Sequence, residues 1–250
     1  MDNAEQIKLH DYIDSIRALP EGSLTKSDLL VPEFRLYTQD NLDIYYAPFE
    51  FVNTRAKVMF VGITPGFTQM EISYRVVRDA LLQGKPPQEV LQRVKQQASF
   101  AGSMRTNLVS MLDGIGLATL LGIATTESLF TENTHLLHST SVLRYPVFVD
   151  GENYTGHKPS LRRTSVFRKY INTYFRSEVL RLQGALFVPM GKAVSETLQE
   201  FVAQGILDQR QCLFGFPHPS GANGHRKRQY ISKRTEFENK VMDWFKSTSQ

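Results

Sequence analysis

Two short turns in this sequence combine a stiff backbone with small side chains, so that a ligand can approach the main chain closely. The first turn, Gly62–Gly66, reads Gly-Ile-Thr-Pro-Gly and follows the apolar run Val58–Val61. Glycine adopts backbone angles that other residues resist, and proline fixes one dihedral. The histidine turn, His218–Gly221, follows Phe216 and Pro217 in the same way. We predict that the two turns face each other across one pocket, because ligands of open α/β sheets bind beyond the carboxyl ends of the strands.

Apolar runs of strand length alternate with helical patterns along the chain, and together they must position these turns. Strands are predicted over 58–62, 136–143, 185–189 and 211–214. Helices are predicted over 5–19, 71–98 with a break at 84–87, 104–115, 126–131, 164–182, 192–203 and 229–246. We expect a short helix and a connecting stretch over 24–56, and a loop over 146–163. The alternation predicts an α/β fold, a three-layer α/β/α sandwich with a central four-stranded parallel sheet.

Length and composition limit the class of protein. The 250 residues, 41% of them hydrophobic, suffice for one core, so we expect a single domain over 1–250 with 1–40 as an N-terminal helical extension. The formal net charge of +4 permits a nucleic acid partner without requiring one. The single cysteine, Cys212, excludes an intrachain disulfide and a multi-cysteine metal site. The sequence lacks an apolar run of membrane-spanning length and a secretory signal, so we expect a cytoplasmic protein.

Blocks spread over residues 40–245 resemble the uracil-DNA glycosylase superfamily. The first turn resembles the family's Gly-x-x-Pro-Gly turn after the first core strand, and His218–Ser220 resembles its His-Pro-Ser turn after the last. Further similar blocks are Phe100–Gly102, Asn107–Leu117, Ser139–Pro146 and Val188–Ala193. The resemblance implies a monofunctional DNA glycosylase, without cofactor or metal and expected to be a monomer. It would hydrolyse the bond to a flipped uracil or 5-modified pyrimidine in DNA, in repair or in defence against modified phage DNA.

The resemblance also assigns roles to individual residues. His218 would donate a hydrogen bond to an oxygen attached to the ring of the leaving base, where negative charge develops. Thr64 would position the attacking water. Phe100 would stack on the base, with Phe67 as second candidate, and Thr140 would read its edge, with Ser139 or Ser141 possible. The residues expected to bind the base are therefore Gly62, Ile63, Pro65, Gly66, Phe67, Phe100, Thr140 and Ser141.

Two positions of the first turn depart from the family pattern. The superfamily usually has Asp or Asn at the third position or Glu at the second, where this chain has Thr64 and Ile63. The nearest carboxylate beyond the turn is Glu71. Uracil-only enzymes place a bulky Tyr at the fifth position, whereas Gly66 has no side chain. We therefore expect open space beside Gly66 and tolerance of pyrimidines with a substituent on carbon 5.

Charge placement favours DNA as the partner. Residues 153–177 and 221–235 each hold several basic residues and no acidic one. Such clusters neutralise phosphates and make binding sensitive to salt. The residues expected to contact the DNA backbone are Ser220, Arg226, Lys227, Arg228, Lys158 and Arg162.

Other interpretations of the same residues stay open. Because Thr64 replaces the usual water-activating residue, the chain could be a catalytically silent DNA-binding protein with the glycosylase fold. A hydrolase of free nucleosides fits the two basic clusters less well. The first turn alone could be structural, His218 could be an ordinary loop histidine, and Phe100 could belong to the core. The basic clusters could also be solvated helix faces.

Overall fold

The structure, a computed structural model, describes residues 8–248. The strands are β1 (Arg35–Gln39), β2 (Leu42–Tyr45), β3 (Val58–Gly62), β4 (Leu137–Ser141), β5 (Val147–Val149), β6 (Glu152–Asn153) and β7 (Leu186–Pro189). The α-helices are α1 (Ile13–Arg17), α2 (Lys26–Leu29), α3 (Phe67–Leu82), α4 (Pro87–Ala98), α5 (Ser103–Gly114), α6 (Leu117–Leu121), α7 (Ser165–Tyr170), α8 (Arg176–Arg181), α9 (Lys192–Ala203) and α10 (Arg226–Thr248). A π-helical segment, Ile171–Phe175, joins α7 to α8.

The N-terminal prediction is only partly testable. Residues 5–7 of the helix expected over 5–19 lie outside the described residues. From there the chain forms a 3₁₀ turn, Leu9–Tyr12, followed by α1. Further 3₁₀ turns are Pro32–Phe34, Thr126–Phe130, Thr134–Leu136 and Gln209–Gln211.

The chain divides into two compact units. The first unit holds the described residues up to Val52 together with Thr64–Ser99 and Leu143–Phe175. The second unit holds Asn53–Ile63, Phe100–Val142 and the described residues from Arg176 onward. The division passes through the first turn, so that Gly62 and Ile63 belong to the second unit and Thr64–Gly66 to the first.

The second unit is built on a parallel sheet in which β3 lies between β4 and β7. All five residues of β3 are buried, as expected for an apolar strand covered on both faces. Val58 pairs with Leu137 on one side and with Leu186 on the other. The α/β class and the predictions of strands over 58–62, 136–143 and 185–189 are confirmed.

The prediction of a fourth parallel strand over 211–214 is wrong. Within residues 8–248 that segment makes one parallel bridge, Phe187 to Cys212, and Leu213 N–H donates to Phe187 O at 2.9 Å. The backbone then turns back, because Phe216 N–H donates to Leu213 O and Gly215 adopts a φ of 84°. The extended piece is therefore too short for a strand, and the parallel sheet has three strands instead of four.

One face of this sheet carries the hydrophobic core of the second unit. Side chains alternate between the faces of a strand, so Val58 and Phe60 point the same way. They pack with apolar residues of β7, α5, α6 and α10 into one buried cluster. Burial of such side chains contributes about 1.5–3 kcal/mol each, which holds α5 and α10 against the sheet.

The opposite face holds a buried polar pair. His138, in the middle of β4, lies 3.0 Å through Nε2 from Oε2 of Glu178 on α8, and both side chains are 1% exposed. Asn53 N–H faces Nδ1 of the histidine at 3.5 Å. Since Nδ1 then accepts, Nε2 carries the proton and donates to the carboxylate. The pair attaches α8 to the sheet.

The first unit contains an antiparallel sheet of order β1-β2-β5-β6, which the sequence did not predict. The expected loop over 146–163 instead holds β5 and β6, so that expectation is wrong. These strands are joined at Asp150 and Gly151, whose φ values are 53° and 73°. An Asp-Gly pair with both residues in the left-handed region is the favoured two-residue hairpin turn. The strands themselves are two and three residues long, below the length at which alternation is readable.

Aromatic rings form much of the interior of the first unit. Tyr12 stacks on Tyr46 with a centroid separation of 3.8 Å, and Phe34 lies 4.7 Å from Tyr74 on α3. The break predicted near 84–87 separates α3 from α4, and Gly84 there has a φ of 67°. The prediction of two helices over 71–98 is confirmed, with α3 starting four residues earlier.

The buried pair predicts a difference between two substitutions. Glu178→Ala should lower the free energy of unfolding by about 3 kcal/mol or more, because it leaves a buried histidine N–H without its acceptor. Glu178→Gln keeps an oxygen at that place and should cost about 1–2 kcal/mol. Urea unfolding followed by circular dichroism measures the unfolding free energy of both variants. Equal losses would contradict the hydrogen bond from Nε2–H of His138 to Glu178.

Candidate functional site

Three residues expected to bind the flipped base lie together at the end of β3. They are Gly62, Phe100 and Ser141. A Cβ built on Gly62 would lie 3.3 Å from Oγ of Ser141 and 3.6 Å from the ring of Phe100. Phe100 lies edge-on to Phe60 at 6.4 Å and is partly buried. A side chain at position 62 would therefore press on the Ser141 hydroxyl and touch the Phe100 ring, and glycine leaves this space open.

The backbone of Phe100 is unusual. Its φ is 51°, a region that bulky residues rarely occupy, and Gly102 follows with a φ of 75°. Such a conformation costs of order 1–3 kcal/mol and persists where the surrounding structure imposes it. The segment before α5 thus holds the ring beside the end of β3 at an energetic cost.

The two candidate hydroxyls of β4 point to opposite faces of the sheet. Ser141 pairs with Gly62 and lies on the face of Phe60 and Phe100, whereas Thr140 pairs with Val61 and lies on the other face. Oγ1 of Thr140 is buried and has no hydrogen-bond partner within the described structure. The geometry brings Ser141, and not Thr140, to Phe100.

The histidine turn lies against the end of β7. A Cβ on Gly191, just beyond β7, would lie 3.4 Å from Cβ of His218, and Gly191 N–H donates to Phe216 O at 3.0 Å. Met190 N–H donates to Val61 O at 2.9 Å, so the ends of β7 and β3 are neighbours. His218 and Gly62 are therefore placed at the same edge of the parallel sheet.

A backbone hydrogen bond fixes the proton of His218. Ser220 N–H donates to Nδ1 of the imidazole at 3.2 Å, so Nδ1 is an acceptor and the neutral ring carries its proton on Nε2. Burial lowers the pKa of His218 below its ordinary 6.5. At neutral pH the ring is uncharged, and its N–H can donate to a ligand.

Thr64 lies in the first unit, and its hydroxyl group donates a hydrogen bond to the main chain of the same unit. Oγ1 donates to the carbonyl of Tyr145 at 2.8 Å, which leaves the oxygen only as an acceptor. Glu71, the nearest carboxylate in sequence, binds Arg75 and accepts from Leu24 N–H at 3.3 Å. These contacts give Glu71 a structural role.

The space beside Gly66 is occupied, and the expectation of open space there is wrong. A Cβ on Gly66 would lie 3.1 Å from Oε1 of Gln69 and 3.4 Å from the side-chain amide of Asn153. Gln69 accepts from Gly66 N–H at 2.9 Å, and Asn153 accepts from Phe67 N–H at 2.8 Å. Two amide side chains thus line this part of the first turn, while Pro65 is buried.

Glu50 is an ionisable group that the sequence did not single out. Tyr46 donates to Oε1 at 2.7 Å, while Oε2 is buried and has no hydrogen-bond partner among residues 8–248. Burial raises the pKa of Glu50 to about 7, although the charges of Arg144 and Lys95 act in the opposite direction. Tyr46 is only four residues away, but the charged neighbours Lys95 and Arg144 are distant in sequence, so no local pattern indicates the buried position of Glu50.

The basic residues expected at DNA have different surroundings. Lys227 and Arg228 are exposed at the start of α10 in the second unit, and Lys158 and Arg162 are exposed in the first. Arg226 is partly buried and binds the histidine turn, as does the side chain of Asn107, a residue without an assigned role in the sequence. Ser220 Oγ accepts from Ala222 N–H at 3.2 Å.

The described part of the chain contains no cluster of three His, Cys, Asp or Glu side chains arranged to hold a metal ion. A separate search of residues 8–248 finds no helix with the length and apolarity needed to span a membrane.

Comparisons with known proteins identify the family of this chain. The profile of the family described as the uracil DNA glycosylase superfamily matches residues 49–246. A relative from Bacillus subtilis (strain 168), described as uncharacterized protein YoxB, is 42% identical over 235 residues, which cover 93% of this chain and 91% of the relative. The search of solved structures returned no match.

Glu50 predicts a pH dependence of stability. Its folded pKa of about 7 lies above the ordinary 4.5, so the folded state holds a proton that the unfolded state releases between these values. This contribution is fully present below about pH 4.5 and is lost as the pH rises through about 7. Relative to wild type, Glu50→Gln should therefore gain about 1–3 kcal/mol of unfolding free energy between about pH 5 and pH 8.5.

Urea unfolding at both pH values measures this gain. The matched control is Glu33→Gln, which changes an exposed carboxylate to an amide. If the two variants shift alike, burial does not raise the pKa of Glu50.

Proposed function

Because this chain belongs to the uracil DNA glycosylase superfamily, we propose that it hydrolyses the N-glycosidic bond of a flipped uracil or 5-modified pyrimidine in DNA and leaves an abasic site. The observation that carries the proposal is the state of His218. Its Nδ1 accepts from Ser220 N–H and its pKa is lowered, so Nε2–H is a fixed donor at the edge of the sheet. A neutral donor of this kind stabilises the anionic base that leaves when the glycosidic bond breaks.

The residues around the end of β3 support base binding. Phe100 offers a flat surface for stacking, and base–aromatic stacking contributes about 1–3 kcal/mol. Ser141 Oγ, near both Phe100 and Gly62, can donate to or accept from the edge of the base. We propose Ser141 in place of Thr140 as the residue that reads this edge.

Water attack completes the reaction. A water oxygen bonds to carbon 1′ of the sugar, the bond to the base breaks with its electron pair on the base, and one proton of the attacking water passes to the solvent. Thr64 can accept a hydrogen bond from that water, but it cannot take its proton, because a threonine hydroxyl is not a base near neutral pH. Loss of a positioned base typically costs about 10²–10⁴ in rate, so we propose a slow enzyme.

Our proposal for the target base rests on the resemblance, which implies that the residue at the position of Gly66 lies at carbon 5 of the base. The amides of Gln69 and Asn153 beside Gly66 can form hydrogen bonds with a polar substituent there. They favour a hydroxymethylated pyrimidine over thymine. Exposed Lys158, Arg162, Lys227 and Arg228 supply phosphate contacts.

Thr64 also favours a second candidate, a catalytically silent DNA-binding protein. The hydroxyl that replaces the usual acid or amide is committed to Tyr145 O, so the water-activating group of the family has no direct substitute at this position. A silent binder would retain salt-sensitive DNA binding and leave no abasic sites.

Several expectations from the sequence stay predictions. They are the single domain, the three-layer arrangement, the monomeric state, the cytoplasmic location and the roles in repair or phage defence.

The decisive measurement incubates purified protein with duplexes that carry uracil, 5-hydroxymethyluracil or 5-hydroxymethylcytosine and scores alkali-labile sites. We expect cleavage at one or more of these bases. His218→Ala should lower the rate by about 10²–10³, the usual cost of removing such a donor. His10→Ala, a change of an exposed histidine, serves as the control. DNA binding without abasic sites would establish the silent alternative.

Thr64 gives a second prediction about the water. Thr64→Ser keeps the hydroxyl and should retain most activity. Thr64→Val keeps the shape and removes the oxygen, so kcat should fall about tenfold or more while the KM for DNA changes little. Single-turnover excision rates of the two variants test this. Equal rates would show that the hydroxyl contributes only its bond to Tyr145.

A further inference from the structure

The last helix, α10, places one stripe of side chains on the histidine turn and its supports. Arg226, Tyr230, Lys233 and Phe237 follow at helical spacing on one face. Tyr230 donates to Met111 O at 2.9 Å, and the ring of Phe237 lies 5.4 Å from that of Phe216. This stripe therefore joins α10 to α5 and to the chain just before His218.

Arg226 begins this stripe and binds the histidine turn directly. Nη1 donates to the carbonyl of Ser220 at 2.6 Å and reaches that of Pro219 at 3.5 Å. Nη2 donates to Oδ1 of Asn107 on α5 at 3.1 Å. Asn107 in turn donates through Nδ2 to Pro219 O at 2.9 Å. The two side chains and the turn form a closed set of hydrogen bonds.

We propose that Arg226 and Asn107 are positioning residues, which hold the histidine turn so that Ser220 N–H meets Nδ1 of His218. Arg226 then acts on the turn and not on DNA phosphates, in contrast to Lys227 and Arg228. This inference rests on the proposed function, since it assigns how the same site is kept in its active form.

The geometry of the turn explains why such support is needed. Two prolines flank His218, and proline has no N–H, so the turn has few main-chain donors of its own. Side chains bind each of its carbonyls: Asn223 donates to His218 O at 3.2 Å, Asn107 to Pro219 O and Arg226 to Ser220 O. Ser220 O also accepts from the main-chain N–H of Asn223 at 3.1 Å. With these carbonyls fixed, the peptide N–H of Ser220 is directed at the imidazole.

The planar, branched guanidinium group of Arg226 matters more than its charge for these hydrogen bonds. The acceptors of Arg226 are neutral oxygens, two carbonyls and an amide, which lie in different directions. A guanidinium serves both directions at once, whereas a lysine ammonium on a flexible stem cannot span them in the same geometry. A phosphate contact would differ, because lysine retains much of it as a point charge.

Kinetics and salt dependence separate the two roles. Arg226→Lys and Arg226→Gln should each lower kcat by about 10- to 100-fold, the cost of misplacing a catalytic group by about 1 Å. Both should leave the slope of log Kd against log salt as in wild type. The matched control, Arg228→Gln, should reduce that slope by about 0.9, the value of one phosphate contact. If Arg226→Lys keeps the wild-type kcat and Arg226→Gln reduces the slope, Arg226 is a phosphate contact and the proposal is wrong.

A second measurement does not depend on activity. The ring proton of His218, identified by its loss in His218→Ala, is followed by NMR as the pH changes. In wild type it should titrate below 6.5, and in Arg226→Lys and Asn107→Leu its pKa should move toward 6.5 as the turn loosens. Asn107→Leu keeps the approximate size of the side chain and adds no charge beside His218, but it lacks the donor to Pro219 O. It therefore tests this hydrogen bond without emptying the site. An unchanged His218 titration in both variants overturns the proposal.

These outcomes are distinguishable from failure of the proposed function. If wild type leaves no abasic site on any duplex, the glycosylase activity is refuted, while the His218 titration and the salt slopes still decide whether Arg226 positions the turn.

Discussion

Hydrogen bonding of β3 to a parallel strand on each side is the constraint on which the site depends. The pairing continues to the last residue of β3, since Val142 N–H donates to Gly62 O and Met190 N–H to Val61 O. Neighbouring strands lie about 4.8 Å apart, so the segments that follow them cannot separate widely at this edge. Gly62, Ser141 and Gly191 are thereby fixed relative to one another before any side chain contributes. The histidine turn then takes its place through its contact with Gly191.

Basic residues of the helix α10 have two different roles: some pack against the rest of the protein and others are exposed to solvent. The composition of the helix does not distinguish these roles. Its first turns are rich in Arg and Lys, yet the structure separates them by direction. Arg226 and Lys233 lie over the turn and over Gly215, whereas Lys227 and Arg228 are exposed. One side of the helix is part of the architecture, and the other is available to a polyanion. Counting basic residues therefore overestimates the number of phosphate contacts.

The sequence predicts those parts of the fold that local pattern controls. The unbroken apolar run of β3 predicts a strand because a strand covered on both faces needs no polar residue. The helices are predicted by the periodic spacing of their apolar residues. The segment 211–214 is also largely apolar, but after one parallel bridge the hydrogen bond from Phe216 N–H to Leu213 O turns the backbone away, and composition does not encode that. The side-chain contacts around the candidate site residues could not be predicted from the sequence for a different reason. Thr64 meets Tyr145 across 81 residues and Asn107 meets Pro219 across 112, so no window of sequence contains both partners.

The hydrogen bond from Ser220 N–H to His218 has an evolutionary consequence. The group that selects the imidazole tautomer belongs to the main chain, and every amino acid except proline carries it at that position. Substitution of the serine side chain can therefore alter affinity for a ligand while the protonation pattern of the ring is preserved. The tautomer of His218 is therefore insensitive to the side chain two residues further on, and mutations there can change ligand affinity without removing the Nε2–H donor.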